Sequence, residues 1–182
     1  MENKEIIIPS FLHEIHGERS TWFNLIMTYS GGLIAASAVL IIYAASAMTL
    51  PYWKLVIMAI ICADVGAGVI ANFTKGTSQY YNGKKRSQII FIFSHFIHPA
   101  IFLFVTELYS TTTIFLVLFI IVSTLVINGV GGREKQGVIA ALCVTIGISL
   151  IFILNISNPL LLWFFPLFMV KLFLAFGIRR FT

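Results

Sequence analysis

All four histidines of the chain stand in two His-x-x-His pairs, His13/His16 and His95/His98. Residues three apart on a helix share a face, so each pair can aim two imidazoles at one point. A metal ion, a haem or a proton relay needs that arrangement. His95 and His98 lie inside a long apolar segment, where an ionisable side chain is costly and marks a functional site by default. Pro99 follows them. Proline cannot donate to the carbonyl four residues back, so a kink and a freed acceptor at His95 are expected beside the two rings. In lipid that acceptor needs a partner, which turns this face toward the bundle. The plain structural alternative is two histidines bonded to neighbouring helices.

The segment before it holds Asp64, Gly68 and Asn72 at intervals of four, on one helical face, with Lys75 beyond. Asp64 is the one acid expected at mid-membrane depth, where a carboxylate is neutral or paired. His95 or His98 on the antiparallel neighbour is its expected partner, and Asp64 is read as a ligand or an acid–base group. Ala63, Ala67 and Ala71 form a second stripe suited to close helix packing. Lys171 is expected to snorkel to the interface, with pairing to Asp64 or a lipid head group as alternatives. Asn128 falls at a similar depth, so Asn72, Asn128 and Lys171 complete a polar pocket. His13, Glu14, His16 and Glu18 cluster before the first apolar segment. Their order, His-Glu-x-His, is not the His-Glu-x-x-His helix of zinc proteases. If this cluster folds back, Glu14 is a candidate base and His13 and His16 are further metal ligands.

The elements that must position these groups follow from composition. The 182 residues are 59% hydrophobic and 10% charged, with mean hydropathy +0.97, whereas soluble domains run near 25% charged. A spanning helix needs about 20 mostly apolar residues. Six segments qualify, at about 24–48, 52–74, 88–108, 111–131, 137–155 and 158–178. The expected fold is therefore all-α, a six-helix transmembrane bundle over 24–182. Residues 1–23 form a cytoplasmic segment, and the pattern of residues 10–23 fits a short interfacial helix that Gly17 separates from the first span. Glu2, Lys4, Glu5 and Pro9 do not read as a signal peptide.

Lys75, Lys84, Lys85, Arg86, Arg133, Lys135, Arg179 and Arg180 fall on one side with Lys4 and Arg19, against Lys54 and Glu107 on the other. The positive-inside rule puts both termini in the cytoplasm of a multi-pass cell-membrane protein. The net charge of +5 reads as this bias plus contact with membrane lipids, and nucleic acid is not an expected partner. Cys62 and Cys143 are expected as buried free thiols. Phosphate-loop, nucleophile-elbow and dinucleotide motifs do not occur.

The preferred functional expectation is metal-dependent chemistry on a lipid or other apolar substrate, with zinc or iron on the imidazoles and hydrolysis of an ester or amide. Haem ranks lower, because His95 and His98 on one helix cannot ligate both faces of one haem. The alternatives are a proton- or ion-coupled transporter or channel, which six helices would build as a homo-oligomer, and a non-catalytic membrane subunit.

Overall fold

The computed structural model describes residues 4–179. Glu2 and Arg180, which entered the sequence argument, lie outside the described residues. Two short strands open the chain, β1 (Glu5–Ile7) and β2 (Arg19–Thr21). They pair antiparallel with Ile6 opposite Ser20. Between them lie a 3₁₀ turn over Ser10–Leu12 and one helical turn, α1 (His13–His16). The short helix expected in this segment is thus two successive turns ending before Gly17, and β2 replaces helix after it. Gly17, at φ 73°, ends the turn in a conformation that side chains disfavour, and the chain then runs extended into β2.

The long helices follow: α2 (Trp22–Ala44), α3 (Tyr52–Phe73), the short α4 (Lys75–Tyr81), α5 (Lys85–Ser94), α6 (Ile97–Thr106), α7 (Thr111–Gly129), α8 (Arg133–Ile153) and α9 (Pro159–Met169). A π-helical stretch, Val170–Phe176, continues α9. With α5–α6 and α9–π each counted as one, six helices are long and apolar enough to cross a membrane. Large apolar side chains such as Leu33, Ile34, Ile41, Phe104 and Phe152 face outward. A lipid solvent rewards such a perimeter and water does not. The all-α bundle and the multi-pass membrane class therefore stand.

Local chemistry sets the helix ends. The Thr21 side chain accepts from Asn24 N–H at 3.2 Å at the start of α2. Ser110 and Thr113 cap α7 reciprocally, and Asn158 accepts from Leu160 N–H at 3.0 Å ahead of Pro159. The third span breaks at His95–Phe96, four residues before Pro99, where the missing N–H was expected to free a carbonyl. Pro166 interrupts α9 from within, and the wider π turn after it carries Lys171.

The core holds Met58, Phe102, Leu116, Ile120, Phe164, Phe165 and Phe168, with the Phe102 and Phe164 rings stacked at 4.0 Å. Cys62 and Cys143 are both buried free thiols. At the end opposite the basic loops, Lys54 pairs with Glu107.

The tightest helix contact is α2 against α3. The small residues Gly31, Gly32 and Ala35 meet Ala63, Gly66 and Ala67; a Cβ on Gly32 would stand 2.9 Å from the Ala63 carbonyl oxygen. Small residues let two backbones approach where no hydrophobic force joins helices in lipid. Gly66→Leu is expected to force α2 off α3 and to cost about 1–3 kcal/mol, the usual range for overpacking. Thermal unfolding of the detergent-purified variant would read this as a lowered midpoint.

Candidate functional site

The polar groups of the bundle meet on α3. Asp64 sits near the middle of that span and is half exposed. Its Oδ2 accepts from His98 Nε2 at 2.5 Å and from Lys171 Nζ at 2.7 Å. The Asp64 backbone oxygen takes a second Lys171 N–H at 3.2 Å. Lys171 is 2% exposed, so it does not snorkel; it reaches inward and pairs with Asp64. Gly68, one turn along α3, makes this possible. A Cβ there would lie 2.7 Å from Lys171 Nζ, so only glycine leaves room for the ammonium. The π turn around Val170–Phe176 aims the lysine at that gap, and π turns recur at functional sites.

His95 and His98 flank the break in the third span, their rings stacked with centroids 4.7 Å apart. His95 Nδ1 lies 2.7 Å from the Phe91 carbonyl oxygen. A carbonyl only accepts, so Nδ1 carries the proton and Nε2 is the basic nitrogen. His98 Nδ1 is buried without a hydrogen-bond partner. One ligand atom from each of Asp64, His95 and His98 falls within a common 4.8 Å, and this is the metal-capable group among the described residues.

These residues line a cleft of about 610 Å³ running between α2 and the broken third span, floored by α3. Its walls include Thr28, Tyr29, Gly32, Leu33, Ala36, Ala67 and Phe91, and Glu14 and Ile15 stand at its mouth. Leu33 on the rim is 70% exposed, so the cleft opens on the apolar perimeter. Beside His98 the Phe102, Phe164 and Phe168 rings stack in the core, with the Phe168 centroid 6.4 Å from that of His98.

The two histidine pairs do not join. His13 Nε2 donates to the Ile8 carbonyl oxygen at 2.7 Å and its ring meets Tyr80 edge-on. His16 is buried, with Nε2 3.1 Å from the Tyr29 hydroxyl. They fix the N-terminal segment and are not in the metal-capable group. Asn72 and Lys171 line the cleft, whereas Asn128 belongs to a separate, smaller cavity that Asn72 also borders. Gly68 and Tyr29 were not read as site residues. The i, i+4 match of Gly68 to Asp64 was the available signal for the first; nothing local marks Tyr29, whose place depends on how α2 meets the N-terminal segment.

No protein-family model matches the chain, and no curated protein or solved structure does either. The site therefore has to be read from its own geometry.

The N-terminal cover is built on backbone contact. Gly17 and Gly76 approach so closely that a Cβ on either would strike the other segment's backbone, and Thr77 Oγ1 donates to the Ile15 carbonyl. Burial lowers the pKa of His16 from its ordinary 6.5. The folded state then binds fewer protons than the unfolded chain just below pH 6.5, so His16 favours the docked segment above that value and opposes it as pH falls. Acidification below pH 6.5 is expected to raise the rate of limited proteolysis between residues 13 and 19. The pH dependence should vanish in His16→Gln.

The Asp64–Lys171 pair gives a second test. Asp64→Asn leaves a buried ammonium without its counter-charge and is expected to cost about 3 kcal/mol, the low end for a broken buried pair because Asp64 is half exposed. Adding Lys171→Met should restore most of that loss. A double-mutant cycle on thermal unfolding measures the coupling.

Proposed function

We propose that the chain is an integral membrane enzyme acting on a lipid or similarly apolar substrate that enters the cleft from the bilayer. Its reacting group would meet an acid–base site made of Asp64, His95, His98 and Lys171. The observation that carries this reading is the junction at Asp64 Oδ2, where His98 and Lys171 converge at 2.5 and 2.7 Å within a mainly apolar cleft. The basic loops favour a cytoplasmic side for both termini by the positive-inside rule, and the mouth with Glu14 would then face that leaflet.

The reaction this arrangement supports best is hydrolysis of an ester or amide. His95 Nε2 takes a proton from water as the water oxygen bonds to the substrate carbonyl carbon. The imidazolium then returns that proton to the leaving oxygen or nitrogen as its bond to carbon breaks. Lys171 has three N–H groups; two are held by Asp64, and the third is left for the oxyanion. Asp64 and His98 hold the ammonium in place, and Glu14 at the mouth meets the polar part of the substrate.

A second reading is favoured by the convergence of Asp64, His95 and His98. Zinc or iron could bind there, with His95 Nε2 as the open ligand. Two ligands about 2.1 Å from a tetrahedral ion stand about 3.4 Å apart, against 2.5 Å between Asp64 Oδ2 and His98 Nε2. Lys171 would also have to leave the carboxylate. The hydrogen-bonded site is therefore the better fit. Flux across the membrane would need polar groups spread along a path, whereas Asp64, His95, His98 and Lys171 gather at one cleft. A haem shared by the two pairs would require His13 and His16 to give up Ile8 and Tyr29.

Purified protein with ester- and amide-linked lipids in mixed micelles provides the test. Hydrolysis is expected to fall about 100-fold or more in His95→Gln and to survive chelator. Metal content by inductively coupled plasma mass spectrometry, with a visible spectrum of the same sample, separates the readings. About one equivalent of zinc or iron, lost in both His95→Gln and Asp64→Asn, would replace the acid–base reading with the metal one.

A further inference from the structure

A second polar cavity lies at the basic end of the bundle, walled by Asn72 of α3, Tyr81 of α4, Gln88 of α5, Asn128 of α7 and Arg179 after the π turn. Five chain segments meet there, and each brings polar atoms. Some are satisfied. Gln88 Nε2 donates to the Tyr81 carbonyl oxygen at 2.8 Å. The Arg179 guanidinium donates to the Asn128 carbonyl oxygen at 2.9 Å and contacts Gln88 Oε1 at 3.5 Å. Two donors are not: Asn72 Nδ2 and Arg179 Nε are both buried without a partner. Asn72 is 5% exposed, so its free N–H cannot turn to bulk water.

The charges do not balance either. Among the described residues that wall the cavity there is no carboxylate, and the partners of the guanidinium there are neutral oxygens. A charge partly withdrawn from water gains from an opposite charge beside it. Water would satisfy the two donors and leave the charge uncompensated, whereas an anion answers both. The narrow space, about 20 Å³ for the centre of a water-sized particle, favours a small anion.

We propose that this cavity binds one chloride-sized monovalent anion, held by Arg179 and Asn72. Asn72 also borders the Asp64 cleft, so the bound anion would brace the wall between the two. The π turn that holds Lys171 ends at this cavity through Ala175 and Phe176, so the same anion would tie down the far end of the element that carries the lysine.

The test uses the full chain in detergent, exchanged into gluconate buffer and titrated with sodium chloride at constant ionic strength. The ³⁵Cl NMR linewidth and the thermal midpoint are followed together. Saturable line broadening and a midpoint rising by several degrees are expected, competed by bromide. Arg179→Gln, which keeps a donor for Asn128, should weaken both effects at least tenfold. Asn72→Ala removes the orphan donor alone and should weaken them severalfold, so it carries the test if Arg179→Gln does not fold. Chloride-independent linewidth and midpoint in the wild type would overturn the proposal. So would a midpoint that rises with phosphate or anionic lipid and not with chloride, because the occupant would then be an oxyanion reaching in from the head-group layer.

Discussion

A lysine ammonium and an aspartate carboxylate face each other in the middle of an apolar bundle, and the arrangement around them follows from that constraint. Neither charge is tolerable alone at that depth. Together they are neutral, but only if the lysine stem can lie flat on α3. Gly68 opens the path, and the π turn after Pro166 sets the direction. The carboxylate oxygen shared with His98 then draws the broken third span against α3. The break itself comes from Pro99, whose missing N–H lets the helix unwind where two imidazoles stack.

Much of this was legible in the sequence because the bilayer imposes a simple rule. Uninterrupted apolar runs must be helices, since lipid offers no partner for an unpaired backbone. The six spans were placed to within a few residues, as were the break before Pro99 and the pairing of α3 with the His95–His98 face. Side-chain reach was misjudged at Lys171. Its position near the chain end suggested snorkelling, and the π turn that redirects it has no local sequence signal beyond Pro166. In residues 10–23 the short helical stretch and its end at Gly17 were legible, but the strand after it and the packing of Gly17 on Gly76 were not, because a contact 59 positions apart leaves no periodicity to read. The separation of the two histidine pairs was likewise a tertiary matter, decided by Ile8 and Tyr29 taking up His13 and His16.

The N-terminal segment has a role that its polarity alone would not suggest. It is not a loose tail on the head-group layer. It is pinned to α4 through Gly76 and Thr77 and to α2 through the His16–Tyr29 contact, and Tyr29 is itself a cleft wall. The segment therefore supports one wall of the cleft, and its Glu14 adds a carboxylate to the lining.

The distribution of polar groups argues for chemistry in preference to passage. Among the described residues, Asp64, His95, His98 and Lys171 gather at one cleft, and the Phe102, Phe164 and Phe168 rings pack in the core outside its lining. A conduit distributes its polar groups along its length, because a solute must be solvated at each step. Here they are concentrated at one point, against three close-packed rings, with apolar walls leading to them from the side. A molecule with an apolar body and one reactive polar group meets complementary surroundings along that route. A small hydrophilic solute would have to cross the apolar part of the cleft before reaching any partner. The same concentration explains why Lys171, His95 and His98 belong together. In the proposed reaction the attacking water enters through the cleft, while the proton acceptor and the charge that stabilises an oxyanion come from the bundle itself.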